Sequence, residues 1–257
     1  MHNKFFPVIL FLCLILTSSF SAKARVTNEI TASTLSSIFT HATLSEALSE
    51  VLYETLSLEE VGLNRNALDY AIAGYENLLN QGLITNTQYL SIVDFSQPLN
   101  SKRFYLLDVE NQELVLQTYV MHGKNSGNEI AEHFSNKINS LQSSLGFYIT
   151  KYTYTGSRGY SLRLAGLENN FNSNAEARGV VVHGSNFINE ERATKGKIER
   201  SQGCPAIPQA ENKKVIKLIK DGSLMFIYHP SEEYLKQSTV LNPSVASINA
   251  LPNSLFN

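Results

Sequence analysis

The chain has 257 residues, 43% of them hydrophobic and 17% charged, with a formal charge of −2. So balanced a charge gives no electrostatic footprint for nucleic acid or an anionic membrane surface, so neither is an expected partner. The length suffices for one large domain, or one domain with a small helical extension, without covalent staples.

Lys4, the apolar run Phe5 to Leu16 and the small-residue end Ala22-Lys23-Ala24 form the charge, core and cleavage pattern of a secretory signal peptide. Residues 1–24 are expected to be removed, leaving Arg25 first and placing the product in the periplasm or cell envelope. The apolar run is shorter than the roughly 20 residues a membrane-spanning helix needs, so no permanent anchor is expected. Cys13 lies inside the run, without the small residues of a lipoprotein site. Cys204 then becomes the sole cysteine of an exported chain, where cysteines ordinarily pair. An intermolecular disulfide, a reactive thiol and an inert buried thiol all fit that count.

Leu44, Leu48, Val51 and Leu52 recur at helical spacing, with Thr43 and Glu46 as a capping box, predicting a helix from Thr43 to about Leu56. A second helix is predicted from Asn66 to Asn80, with Leu68, Ile72, Tyr75 and Leu79 on one face and Gly82 ending it. Residues 25–99 thus read as a helical N-terminal region. A β-rich domain over 100–230 follows. Arg103 to Val109 and Glu113 to Val120 flank the polar turn Glu110-Asn111-Gln112 as a hairpin. Gly146 to Tyr154 is a further strand, punctuated afterwards by Gly156, Gly159 and Gly166. Val180-Val181-Val182 forms a buried strand delivering His183 and Gly184. Pro208 to Lys220 reads as a helix, Ser223 to Tyr228 as the last strand, and residues 231–257 as an irregular tail.

The chemistry concentrates in Arg200-Ser201-Gln202-Gly203-Cys204-Pro205-Ala206. A thiol beside a glycine that lets backbone amides approach a carbonyl meets the local need of acyl transfer, where N–H donors hold a tetrahedral oxyanion. The attacking species is the thiolate, so a base must reach the sulfur, and His183 stands 21 residues upstream at a strand end. Taken singly, His183 reads equally as a histidine bonded to a nearby carbonyl, and Ser201 as a turn former. No His-Glu-x-x-His or other ligand spacing occurs, so neither metal nor cofactor is expected.

Together, strand-His-Gly, a loop and Ser-x-Gly-Cys-Pro-Ala resemble the catalytic domain of the L,D-transpeptidases, the YkuD-type cell-wall enzymes, in their Gly-Cys-Pro-Ala branch. The resemblance runs from about Arg103 to Tyr228. It implies a mainly β fold, an L,D-transpeptidase-like β-sandwich with a helix after the cysteine, preceded here by the small helical unit. It implies Cys204 as nucleophile, His183 as base, Ser201, Gln202 and Gly203 as the nucleophile turn or oxyanion site, and peptidoglycan stem peptides as substrate. Gln202 stands where a histidine is frequent and Ala206 where an arginine is; Arg178 or Arg200 is the candidate replacement for that arginine. Gly184 and His122, the latter in a His-Gly-x-x-Ser-Gly stretch similar to the branch, complete the expected substrate-binding set. Three other functions remain open at this stage: an L,D-carboxypeptidase; a secreted cysteine peptidase or amidase, disfavoured because histidine precedes cysteine; and a cell-wall-binding domain without turnover.

Overall fold

The protein is described here from a computed structural model, which covers residues 41–242. The expected signal peptide and the last residues of the tail lie outside the described residues. Helix α1 spans His41–Thr55, and the described residues from Ser45 onward form one compact unit.

Helix α2 spans Arg65–Asn80, and Asn64 caps it by accepting the Asn66 N–H at 2.9 Å. Its buried face, Leu68, Ala71, Ile72, Tyr75 and Leu78, is the one set by the apolar periodicity. Gly82 ends it with φ +71°, and the bonds Gly82 N–H to Leu79 O and Leu83 N–H to Leu78 O satisfy its last carbonyls.

The sheet has eight strands: β1 (Tyr89–Asp94), β2 (Phe104–Asp108), β3 (Glu113–Thr118), β4 (Gly146–Gly156), β5 (Gly159–Gly166), β6 (Val181–Ser185), β7 (Ala206–Pro208) and β8 (Leu224–Tyr228). Their spatial order is β3-β2-β1-β8-β4-β5-β6-β7. Only β1 with β8 and β6 with β7 run parallel. Beyond β3 the chain turns back on the far edge, where Met121 bridges Ala206 and Gly123 bridges Ser201. The sheet is thereby nearly closed into a barrel, and closure removes edges that would otherwise be left unpaired. This is the expected mainly β architecture of the L,D-transpeptidase type with flanking helices.

Five elements differ from the sequence reading, among them the short helix α3 (Glu190–Thr194) and strand β7, neither of which the pattern of residues announced. Strand β1, within the stretch read as helical, lies mid-sheet between β2 and β8. Of its six residues, Tyr-Leu-Ser-Ile-Val-Asp, all but the half-buried Tyr89 are buried, on both faces, so they carry no alternation to announce a strand. Strand β5 was concealed by its bounding glycines; Gly156 and Gly159 pair across the two-residue loop Ser157-Arg158. In the tail, helix α5 (Glu232–Gln237) is capped by Ser231, and its Tyr234 is wholly buried.

That tail helix is fastened through Glu168, itself 1% exposed. One carboxylate oxygen accepts the Phe147 N–H at 2.9 Å and the Tyr234 hydroxyl at 3.0 Å, and the other accepts the Ser238 hydroxyl at 2.5 Å. Burial raises the Glu168 pKa against these donors. Removing the carboxyl strands a buried N–H and two hydroxyls, so Glu168→Ala is expected to lower stability by about 3 kcal/mol. Because the charged form is the costly one here, Glu168→Gln should lose much less; equilibrium urea unfolding of the two variants checks the ranking.

Candidate active site

Cys204 sits on the turn entering β7, with β6 on one side and the strand-like segment 121–124 on the other. Three backbone bonds fix the outer side: Ser201 N–H to His122 O at 2.8 Å, Lys124 N–H to Ser201 O at 2.8 Å and Met121 N–H to Ala206 O at 2.8 Å. On the inner side the parallel register sets His183 opposite Ala206. Continued back two residues, it puts Cys204 beside Val181. The thiol points to the Gly179 carbonyl at 3.7 Å, and the Val181 N–H donates toward the sulfur.

Ser201 and Gly203 shape the turn. The Ser201 hydroxyl donates to the Cys204 carbonyl at 2.7 Å and accepts the Gly203 N–H at 3.0 Å. Gly203 has φ +117°, and a Cβ there would lie 2.6 Å from the Gln142 carbonyl and 3.3 Å from Arg178 Nη2. The position is closed to any side chain on both counts. Gln202 is exposed. The Gly203 N–H, being held by Ser201, is not an idle donor for an oxyanion.

His183 is 5% exposed, and its Nδ1 lies 2.9 Å from the Gly184 carbonyl. A carbonyl only accepts, so Nδ1 carries the proton and Nε2 is left as the basic nitrogen. Burial lowers the His183 pKa, the Gly184 contact opposes that, and Arg158 lowers it further. Burial raises the Cys204 thiol, opposed by the Val181 N–H and then by Arg158, Arg178 and Arg163. The two shifts run opposite to those of a thiolate–imidazolium pair, and among the described residues no hydrogen bond joins Cys204 to His183. Both shifts favour the neutral forms, of a thiol on the turn entering β7 and an imidazole on the adjacent β6, offset by two residues.

The remaining candidates are placed as follows. His122 is fully buried. Its Nδ1 accepts from Arg103 Nη2 at 2.8 Å, its Nε2 lies 3.3 Å from the Gly127 carbonyl, and burial with the Arg103 charge brings its pKa down to about 4. With no accessible surface, it suits the role of fixing the segment that flanks Ser201 rather than that of touching a substrate. Gly184 lies under α4 (Gln209–Ile219), where a Cβ would meet Gln209 Oε1 at 2.3 Å, so its small size serves helix packing. Arg178 binds the Ser135 carbonyl at 2.6 Å, the Ser144 and Ser140 hydroxyls at 3.0 and 3.3 Å, and the Gln142 carbonyl. It thus ties down the loop that borders Gly203. Arg200 is exposed and bonds Gly127 O at 3.0 Å and Asn128 Oδ1 at 2.6 Å. Arg158 and Arg163, which reach the thiol electrostatically from the β4–β5 hairpin, were missed. The two-residue turn Gly-Ser-Arg-Gly followed by Ser-Leu-Arg-Leu is the sequence signal that could have revealed them. No cluster that could hold a metal occurs among the described residues.

A nearly closed mixed sheet, with the one cysteine of the described residues on a glycine turn beside a histidine-bearing strand, defines a protein of β-sandwich type. The L,D-transpeptidase catalytic domain family matches residues 59–228, and the chain belongs to that family. Among solved structures, the chain is similar to an L,D-transpeptidase from Mycobacterium smegmatis at 11% identity, covering 55% of this chain and 59% of that one, with TM-score 0.35. It is also similar to an L,D-transpeptidase from Xylanimonas cellulosilytica at 16% identity, covering 70% and 93%, with TM-score 0.32. The helical cell shape determining protein of Campylobacter jejuni is similar at 11% identity, covering 66% and 61%, with TM-score 0.38. No curated protein matches the chain.

Gly203→Ala meets both an unfavourable φ and a backbone oxygen, so it is expected to cost about 2 kcal/mol or more and to spring the turn. Thermal melting should register the loss, and Cys204 should alkylate faster in the folded variant than in the parent.

Proposed function

We propose that this chain is an exported peptidoglycan L,D-transpeptidase in which Cys204 is the nucleophile and His183 the general base. The observation that carries it is the pairing of β6 with β7, which brings the strand bearing a basic imidazole nitrogen alongside the turn that bears the half-buried thiol. Family membership supplies the substrate class.

In the first half-reaction Cys204 Sγ attacks the diaminopimelate carbonyl on its L-centre side while His183 Nε2 takes the thiol proton. The tetrahedral oxyanion collapses, the C–N bond breaks, the same proton passes to the departing D-amino acid, and a thioester remains. An amine of a second stem peptide then attacks the thioester, and Sγ leaves as the acceptor's proton is taken up. The Gly203 N–H is committed to Ser201, which leaves the N–H of Cys204 itself as the donor nearest the oxyanion.

A neutral resting pair has a kinetic signature. The base must be unprotonated, and its pKa lies below the ordinary 6.5. The acid limb of kcat/KM is therefore expected below pH 6.5, with activity retained through neutrality. A limb above that value would contradict the assignment of His183. With purified muropeptides and mass spectrometry, wild type should yield crosslinked dimers or D-amino-acid exchange. Cys204→Ala should yield none, and His183→Ala should be slower by about 10²–10⁴-fold. Tripeptide alone would mean hydrolysis, and untouched muropeptides with wild type would mean a binding domain without turnover.

A further inference from the structure

The hairpin β4–β5 crosses the site on the side opposite the nucleophile turn. Its register sets Ser161 opposite His183 and Arg163 opposite Val181. Directly paired residues share a face, and residues two apart on a strand share it too. Arg163, Ser161, Val181 and His183 therefore occupy one face of the sheet. Helix α4 covers the other, where Gly184 lies beneath Gln209 and Asn212. Val181, whose N–H points at the Cys204 sulfur, is the immediate cross-strand neighbour of Arg163.

Arg163 is held but not neutralised. Its guanidinium lies 4.8 Å from the centroid of the Tyr154 ring, which fixes its plane. Its Nε is buried and has no hydrogen-bond partner. The ion pairs of the described residues include neither Arg163 nor Arg158, the arginine at the tip of the same hairpin. Arg178, the third cation near the thiol, differs: its terminal nitrogens are spent on Ser135, Ser140, Gln142 and Ser144. A buried N–H donor left without an acceptor costs free energy, and a half-buried guanidinium with no counter-ion costs more. The unpaired charge is met if a planar anion docks on the terminal nitrogens, because a carboxylate matches the guanidinium fork with two parallel bonds; the buried Nε is not itself reached.

We propose that Arg163 is the substrate-carboxylate receptor of this site, holding a free carboxylate on or next to the residue whose carbonyl Cys204 attacks, with Arg158 adding charge at the hairpin tip. This rests on the stem-peptide reading above. The carboxylate belongs either to the D-centre of the diaminopimelate or to the terminal D-amino acid, and both present the same group to the fork. Arg163 thereby supplies from β5 the grip that Ala206 does not.

The test separates recognition from turnover. Binding of a synthetic tetrapeptide to Cys204→Ala protein is measured by calorimetry, in three forms: both carboxylates free, the diaminopimelate carboxylate amidated, and the terminal carboxylate amidated. One of the two amides should bind about 10- to 100-fold more weakly than the free peptide, which identifies the source. Adding Arg163→Gln should weaken the free peptide by the same factor and leave that amide unchanged; Arg163→Lys should fall between. Melting curves establish that the variants are folded. The proposal is overturned if the three peptides bind alike, if none binds, or if Arg163→Gln weakens all three equally. Wild-type turnover of the free peptide is read in parallel. Turnover without carboxylate discrimination sinks only the role of Arg163, whereas discrimination without turnover sinks the transpeptidase reading.

Discussion

Everything that matters at the thiol depends on the seam that closes the sheet. The nucleophile turn is a short segment with few interactions of its own, and it is stationary because both its flanks are hydrogen-bonded. On one side stands β6 and on the other the stretch running from Met121 to Lys124. That outer flank is in turn made rigid by Arg103, a cation with no exposed surface, which donates to the carbonyls of Gln97 and Val120 and to His122 while lying over the Phe95 ring. Burial brings the Arg103 pKa down to about 9, with Asp94 opposing the shift. A buried cation is a costly way to hold a segment unless its donors are satisfied, and here they meet carbonyls and an imidazole lone pair.

The electrostatics of the site follow from geometry rather than from overall composition. The chain is slightly acidic, yet the charged residues acting on Cys204 are all arginines, drawn from the β4–β5 turn, from β5 and from the loop before β6. At the thiol they oppose burial, which favours the protonated form, whereas at His183 burial and Arg158 both favour the neutral imidazole. A protonated thiol is sheltered from casual oxidation, since the thiolate is the species that reacts.

Legibility in the sequence was uneven, for identifiable reasons. Both N-terminal helices announced themselves because amphipathic periodicity is local, whereas their starts did not: α1 begins at His41, before the expected cap Thr43, and α2 is capped by Asn64 rather than starting at Asn66. The β2–β3 hairpin and α4 did so through their turn and terminal residues. Strand β1 did not, since a strand buried on both faces has no alternation, and the parallel partner that explains it, β8, lies at the other end of the described chain. At the site, Cys204 and His183 stood out by residue type. What Gly184 and His122 do was illegible, because one is decided by a helix packed across it and the other by a buried arginine remote in sequence. The hairpin arginines escaped because register, not spacing, brings them to the thiol.

The central place of β8 has a consequence for how the molecule comes into being. This strand is inserted between β1 and β4, so it joins two half-sheets that otherwise have no hydrogen-bonded contact along that line. Its parallel match with β1 spans well over a hundred residues of chain, and such distant pairing is slow because a long loop must close before any contact repays it. A chain still missing its last strand therefore carries two raw inner edges, prone to pair with other chains. Threading β8 into that gap joins along this line the two half-sheets that the Met121–Ala206 seam ties at their far edges. Until it happens, the molecule is more a hazard to its neighbours than a worker among them.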